Sequence, residues 1–314
     1  MSARRIVIAV VLACGLLTGD ASHAQICGTR ARRARHYSHV VWIWMENHGY
    51  DQIVGSPDAP YINSLISACG LAANFHNITH VSLPNYIGAV TGLALSDLQP
   101  LLNDCNPGGA CLTAADSIFA HVPSWKAYME SMTTNCQATG LVGYAVRHNP
   151  PPYLTSLADC GTFDVPYTEL QSDLDNDALP AFAFITPNTV NDMHDGTDPT
   201  AIQNGDTWLQ NELPKILSSA AYQSGTTAIF ITWDEGEVGT DFTLGEDCAN
   251  NTAAESCHIP TIVITPSTRP GTVSNTLFNH YSLLKTTEKM LGIRRRDFVG
   301  LTKQVRTMRR AFHM

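Results

Sequence analysis

Apolar residues fall along this chain in two rhythms. Short, nearly continuous runs occupy His39–Met45, 181–186, Thr227–Trp233 and 261–265. Runs without polar alternation read as strands buried on both faces, as in a parallel sheet. Residues 71–75 and 141–146 read as two further strands. Elsewhere the apolar positions recur at helical spacing: 59–68, 118–132, 207–219 and 281–291. Trp125, Tyr128 and Met129 mark the inner face of 118–132; Leu283, Leu284 and Leu291 mark that of 281–291. A small-residue helix, 87–92, follows Ser82-Leu83-Pro84-Asn85-Tyr86, with proline suited to its first turn. Residues 96–113 read as a disulfide-tied loop. Strands alternating with helices predict an α/β fold with a mostly parallel central sheet, its strand ends sharing one edge. No internal repeat or linker divides the chain.

The first 24 residues stand apart. Arg4 and Arg5 precede an apolar run, and Ala21-Ser22-His23-Ala24 follows it. That is the pattern of a secretory signal peptide, too short to remain as a spanning helix. A lipoprotein site ending at Cys14 is the weaker alternative. Residues 25–314 are read as a single domain, with a basic lead-in (28–36) and a basic tail from about 293. Removing the leader leaves 17 basic against 27 acidic residues, a net charge of −10. Such a body is expected in the periplasm or outside the cell, with no transmembrane segment and no nucleic-acid partner. The tail, with seven Lys or Arg and one acid over 294–310, is expected to be a solvated segment, attraction to anionic lipid being the alternative.

Eight cysteines remain after the leader, and an even count in an exported chain predicts four disulfides. Connectivity is open; Cys105–Cys111 and Cys248–Cys257 close short loops and are favoured. A zinc–cysteine site is disfavoured because no Cys-x-x-Cys pair occurs.

The chemistry sits where the apolar runs stop. Glu46-Asn47 follows His39–Met45, Asn188 and Asn191-Asp192-Met193-His194-Asp195 follow 181–186, and Asp234-Glu235 follows Thr227–Trp233. Ligands of open α/β sheets bind at the carboxyl ends of strands, so these groups are placed to hold a divalent ion. Taken singly, each is also an ordinary exposed turn. Arg147-His148 is either a phosphate-binding pair or a surface turn. Ser82 is either a helix cap or, beside such an ion, an activated nucleophile.

Glu46-Asn47-His48-Gly49-Tyr50-Asp51, Thr79-His80-Val81-Ser82-Leu83-Pro84-Asn85-Tyr86, the 191–196 cluster, Thr232-Trp233-Asp234-Glu235 and His280-Tyr281 together resemble the phosphoesterase family. That family includes bacterial acid phosphatases and phospholipases C within the alkaline-phosphatase-like superfamily. The resemblance covers roughly residues 38–292. It implies a three-layer α/β sandwich and a metal-dependent acid phosphatase working through a phosphoserine. It implies metal ligands at Glu46, Asn47, Asp234 and Glu235, with Ser82 as nucleophile and additional ligand. His148 and His194 would lie near the phosphate and supply positive charge; His80, Asn85 and Asn188 are assigned to substrate binding. Asn188 stands where the family has an Asp, which implies one divalent ion per chain. Val81 replaces the family's proline. The implied substrate is a phosphate monoester, with a phosphoinositide or another membrane-derived ester as a candidate. A phospholipase C or other phosphodiesterase is the alternative, and a disulfide-stapled binding protein is a third, remoter reading.

Overall fold

The computed structural model describes residues 25–236, 243–251 and 253–314. The signal-peptide segment lies outside them. One nine-stranded sheet runs through the molecule in the order β4-β3-β5-β1-β6-β7-β2-β8, with β9 also pairing β2. The strands are β1 His39–Met45, β2 Gly70–His76, β3 Trp125–Met129, β4 Asp164–Pro166, β5 Phe182–Thr186, β6 Thr227–Trp233, β7 His258–Ile264, β8 Thr272–Ser274 and β9 Phe278–Asn279. All pairings are parallel except those of β7, which runs antiparallel to β6 and β2. The fold is therefore α/β with a mostly parallel, mixed sheet. The run at 261–265 looks like its neighbours in sequence but is reversed in direction. Hydropathy reports burial, not orientation.

β1 lies at the centre, between β5 and β6. Six of its seven residues are buried. Successive side chains point to opposite faces of a strand. Trp42 donates its indole N–H to Thr287 on the His280–Met290 helix, and Trp44 packs on Tyr86 of the Ser82–Thr91 helix. Met45 turns the other way, against Gly205 of the Thr200–Ser218 helix. A Cβ on Gly205 would stand 2.4 Å from Met193 Cε and 2.9 Å from Met45 Cε, so the close approach requires glycine. Each large apolar side chain buried this way contributes about 1.5–3 kcal/mol.

Three expectations need correction. Residues 118–132 are not a helix: a short 3-10 turn, Ile118–Ala120, precedes strand β3, which pairs with β4 and β5. The aromatic residues are buried as expected, by a strand. Residues 141–146 are a tight turn joined by a Leu141–Tyr144 bridge. The tail is not a solvated segment. Phe298, Val299, Met308 and Phe312 are buried, and Leu301 N donates to Gly92 O at 2.8 Å. Gly92 ends the Ser82–Thr91 helix at φ +68°, and Gly300 sits so close that a Cβ would meet Gly92 O at 2.0 Å.

All eight cysteines of residues 25–314 form disulfides: Cys27–Cys69, Cys105–Cys111, Cys136–Cys160 and Cys248–Cys257. The two short loops pair as expected, and no thiolate is left for zinc. Among the described residues, no helix is long and apolar enough to cross a membrane.

Candidate active site

The carboxyl ends of β1, β5 and β6 are knitted together before any side chain is considered. Glu46 N donates to Asp192 O at 2.8 Å, and Asp234 N donates to Met45 O at 3.0 Å. These bonds bring Glu46, Asp192 and Asp234 to one point, and all three are fully buried. Asn47 and Met193 hold left-handed backbone, φ +39° and +84°. Non-glycine residues in that region mark sites where geometry is held against local preference.

Ser82 stands in the first turn of its helix, with Val81 as the cap, and Tyr86 lies one turn further on. Residues four apart share a helix face. Both hydroxyls reach Glu46: Ser82 Oγ donates to Oε2 at 3.2 Å, and Tyr86 Oη donates to Oε1. His148 stacks on Tyr86, with Nε2 3.3 Å from Glu46 Oε1 and Nδ1 3.3 Å from Asp192 Oδ2. Glu46, His148 and His194 present ligand atoms all within 4.8 Å of one another.

This cluster is short of positive charge. Burial first, then Asp234 and Asp192, push the Glu46 carboxyl well above its usual range. Burial raises Asp192 too, with Asp234 and Asp195 adding to the rise, and burial lifts Asp234 to about 7. His148 Nε2, Asp192 Oδ2 and Asp234 Oδ2 are buried without a hydrogen-bond partner. Asn47 Oδ1 faces Glu46 Oε2 at 2.9 Å and Asp234 Oδ1 at 3.2 Å. Oxygens so arranged repel unless a cation lies among them, or unless the amide rotates to present its nitrogen. Carboxylates, an amide oxygen and an imidazole nitrogen are a donor set that fits a divalent ion. Asp192 at Nδ1 would orient the His148 ring toward such an ion.

His148 differs from expectation. Its burial, with Arg147 and His194 nearby, holds its pKa well below the imidazole range, so the ring is neutral. The exposed-side cation is Arg147. Its Nη2 donates to His194 Nε2 at 2.8 Å, leaving His194 Nδ1–H for Asp195 Oδ1 at 2.9 Å, and its Nε is 3.6 Å from Asp104 Oδ2. Asp104, Arg147 and His194 line a cavity of about 400 Å³ whose rim is the 140–146 turn.

The three substrate-binding expectations are placed differently. Asn85 is fully buried; its oxygen accepts from Ile78 N and Thr79 N, and its nitrogen donates to Thr79 O and Val81 O. It shapes the approach to Ser82 and has no capacity left for substrate. Asn188 turns its oxygen to Val190 N and Asn191 N, shaping the loop after β5. His80 is buried, pairs through Nδ1 with Glu235 and sets Nε2 3.4 Å from Cys248 Sγ. Glu235, read as a metal ligand, is thus engaged by His80. In the sequence, Arg147 stands out only with His148, as a phosphate-binding pair or a surface turn, and Asp192 only within the 191–195 cluster; Tyr86 has no role of its own there. The density of polar residues at 191–196 pointed to the region, but not to which carboxylate turns inward.

The chain has relatives among known proteins. The model of the Phosphoesterase family matches residues 56–294. The chain is 28% identical over 295 residues to a phosphatidylinositol-3-phosphatase of Mycobacterium tuberculosis, covering 92% of this chain and 89% of that one. It is 27% identical to an acid phosphatase of Aspergillus fumigatus, covering 80% of this chain but 54% of that protein. It superposes on a protein in the alkaline phosphatase superfamily from Vibrio parahaemolyticus with a TM-score of 0.55 at 13% identity, covering 91% and 73% of the two chains. A lipoteichoic acid synthase from Listeria monocytogenes gives 0.56 at 13% identity, with 85% and 76% coverage. These two likenesses concern the fold alone. The chain belongs to the Phosphoesterase family and is a phosphoric ester hydrolase.

Proposed function

We propose that the protein is an exported, metal-dependent acid phosphatase that cleaves phosphate monoesters through a phosphoserine at Ser82. The observation that carries this reading is the Ser82 hydroxyl, bonded to Glu46 Oε2 at the edge of three buried carboxylates. Glu46, Asn47, Asp234, Ser82 and His148 would hold one divalent ion, which when bound offsets negative charge on the serine oxygen and on the transferring phosphoryl group.

The chain's own residues supply the rest. Ser82 Oγ gives its proton toward Glu46 and attacks phosphorus, and the ester oxygen leaves. Arg147 at the cavity mouth pairs with the phosphoryl oxygens. His194 holds the Arg147 guanidinium in place through Nε2 while its Nδ1–H is bonded to Asp195, and a solvent water protonates the leaving oxygen. Water then attacks phosphorus, the bond to Ser82 Oγ breaks, inorganic phosphate leaves, and Ser82 recovers its proton from Glu46. Four disulfides fit an oxidising compartment.

Phosphate release from p-nitrophenyl phosphate tests the activity, with phosphatidylcholine as the diester comparison. Acid quenching of the working enzyme should trap phosphate on Ser82. Faster cleavage of the diester, or no phosphate on Ser82, would overturn the reading.

A further inference from the structure

The two basic segments of this acidic chain meet. The lead-in carries Arg30, Arg33 and Arg35, and the tail carries Arg306, Arg309 and Arg310. Arg309 reaches across to Ala34 O and Arg35 O at 3.4 and 3.2 Å. Lys285 and Lys289, on the His280–Met290 helix, and Arg269 adjoin them. Three open cavities of about 670, 610 and 400 Å³ lie here, and Arg310 lines all three. Like charges crowd one another: Arg33 beside Arg309, and Lys289 and Arg295 beside Lys285. Among the described residues, none of these side chains is in a salt bridge with an Asp or Glu side chain; the pairs that do form use Lys126, Arg147, Lys215, Arg294 and Arg296. A patch of cations with no carboxylate side chain in salt-bridge contact, on a body of net charge −10, lowers its energy by gathering anions.

The surroundings say which kind of anion. Val273, Val305 and Ala311 line the cavity of about 670 Å³ beside Lys285, Arg306 and Arg310, and Val273 is 56% exposed. Among the described residues, no aromatic side chain is an exposed large hydrophobic on which a nucleic-acid base would stack. Cations flanked by small aliphatic side chains match the headgroup region of an anionic bilayer.

We propose that this face is a docking surface for anionic phospholipid, independent of the catalytic reading. The fold sets the orientation. The His280–Met290 helix starts at the site, where His280 Nε2 donates to Asp234 O, and ends where Met290 O accepts the Tyr37 amide next to the lead-in. That helix covers eleven residues, roughly 16 Å at about 1.5 Å each, and β1 covers seven, roughly 23 Å at about 3.3 Å each. The part of the patch around Arg33 and Arg310 is at the opposite end of the sheet from Ser82. A protein docked through it holds its active site away from that membrane, facing soluble esters or an opposing surface.

The test is flotation of the mature protein with vesicles of phosphatidylglycerol and phosphatidylcholine, compared with vesicles of phosphatidylcholine alone. Binding is expected only to the former, and should weaken by about tenfold or more in Arg33→Glu/Arg310→Glu, and likewise on raising salt from 0.1 to 0.5 M. Hydrolysis of p-nitrophenyl phosphate by that variant should be unchanged, which also shows that it folds. Equal binding to both vesicles, equal binding by wild type and variant, or tighter binding to duplex DNA than to vesicles at the same salt would overturn the proposal.

Discussion

Asp104 Oδ1 accepts the Leu83 amide at 2.9 Å, one residue past Ser82. The same carboxylate lies 3.6 Å from Arg147 through its other oxygen. One side chain thus occupies two positive groups that an incoming phosphoryl dianion would use. Asp104→Asn keeps an acceptor for the helix end but removes the competing charge. We expect KM for a monoester to fall about tenfold, some 1.4 kcal/mol, with kcat changed far less. Steady-state kinetics on p-nitrophenyl phosphate, with inorganic phosphate as competitor, checks this; an unchanged or raised KM means that Asp104 does not compete with substrate.

Ser82→Ala should leave the fold intact and remove nearly all turnover. The helix is capped from Asp104 and shaped by Asn85, so the hydroxyl contributes little to its stability. Residual activity within about tenfold of wild type would place the nucleophile elsewhere.

Removing metal should abolish activity and reveal protons in its place. With Glu46 and Asp192 raised and Asp234 near 7, the metal-free cluster carries protons below neutral pH. Metal binding at pH 6 is therefore expected to release protons, and fewer as the pH approaches 8. Raised folded-state pKa values also mean that metal-free stability falls as pH rises from about 4 through 7. Calorimetric titration in buffers of different ionisation enthalpy measures the release. Full activity after chelation, in protein shown metal-free by elemental analysis, would falsify the metal assignment.

Glu288 provides a second pH signature, remote from the site. It is buried under the tail and accepts Val299 N at 2.7 Å; burial lifts its pKa to about 7. The unfolded chain loses this proton near 4.5, the native protein near 7. Stability is therefore full below 4.5 and declines as pH rises to 7. Glu288→Gln retains the acceptor and should gain roughly 2 kcal/mol at pH 8 with little change at pH 4. Urea melts at the two pH values decide it; an equal shift at both would exclude titration as the cause.

Much of the sheet was legible in the chain alone. The runs at His39–Met45, 181–186 and Thr227–Trp233 are strands β1, β5 and β6, because a strand covered on both faces has few places for polar residues. The positions just past them, 46–47, 191–195 and 234–235, converge because parallel neighbours end at one edge. The spacing of Trp125, Tyr128 and Met129 satisfied a helix equally well, and only pairing with β4 and β5 made it a strand. The reversal of β7 and the folding of the tail onto Gly92 were likewise decided by distant partners. Residue type announced a polar cluster at 191–196, but tertiary packing chose Asp192 to face His148 and left Asp195 near the surface. It also turned Asn85, Asn188 and His80 inward to hold loops, and discharged His148 by burying it. Burial periodicity is written locally, in successive side chains. The direction of a strand, the choice among neighbouring carboxylates and the charge of an imidazole depend on groups far away in sequence, and exist only once the chain has closed on itself.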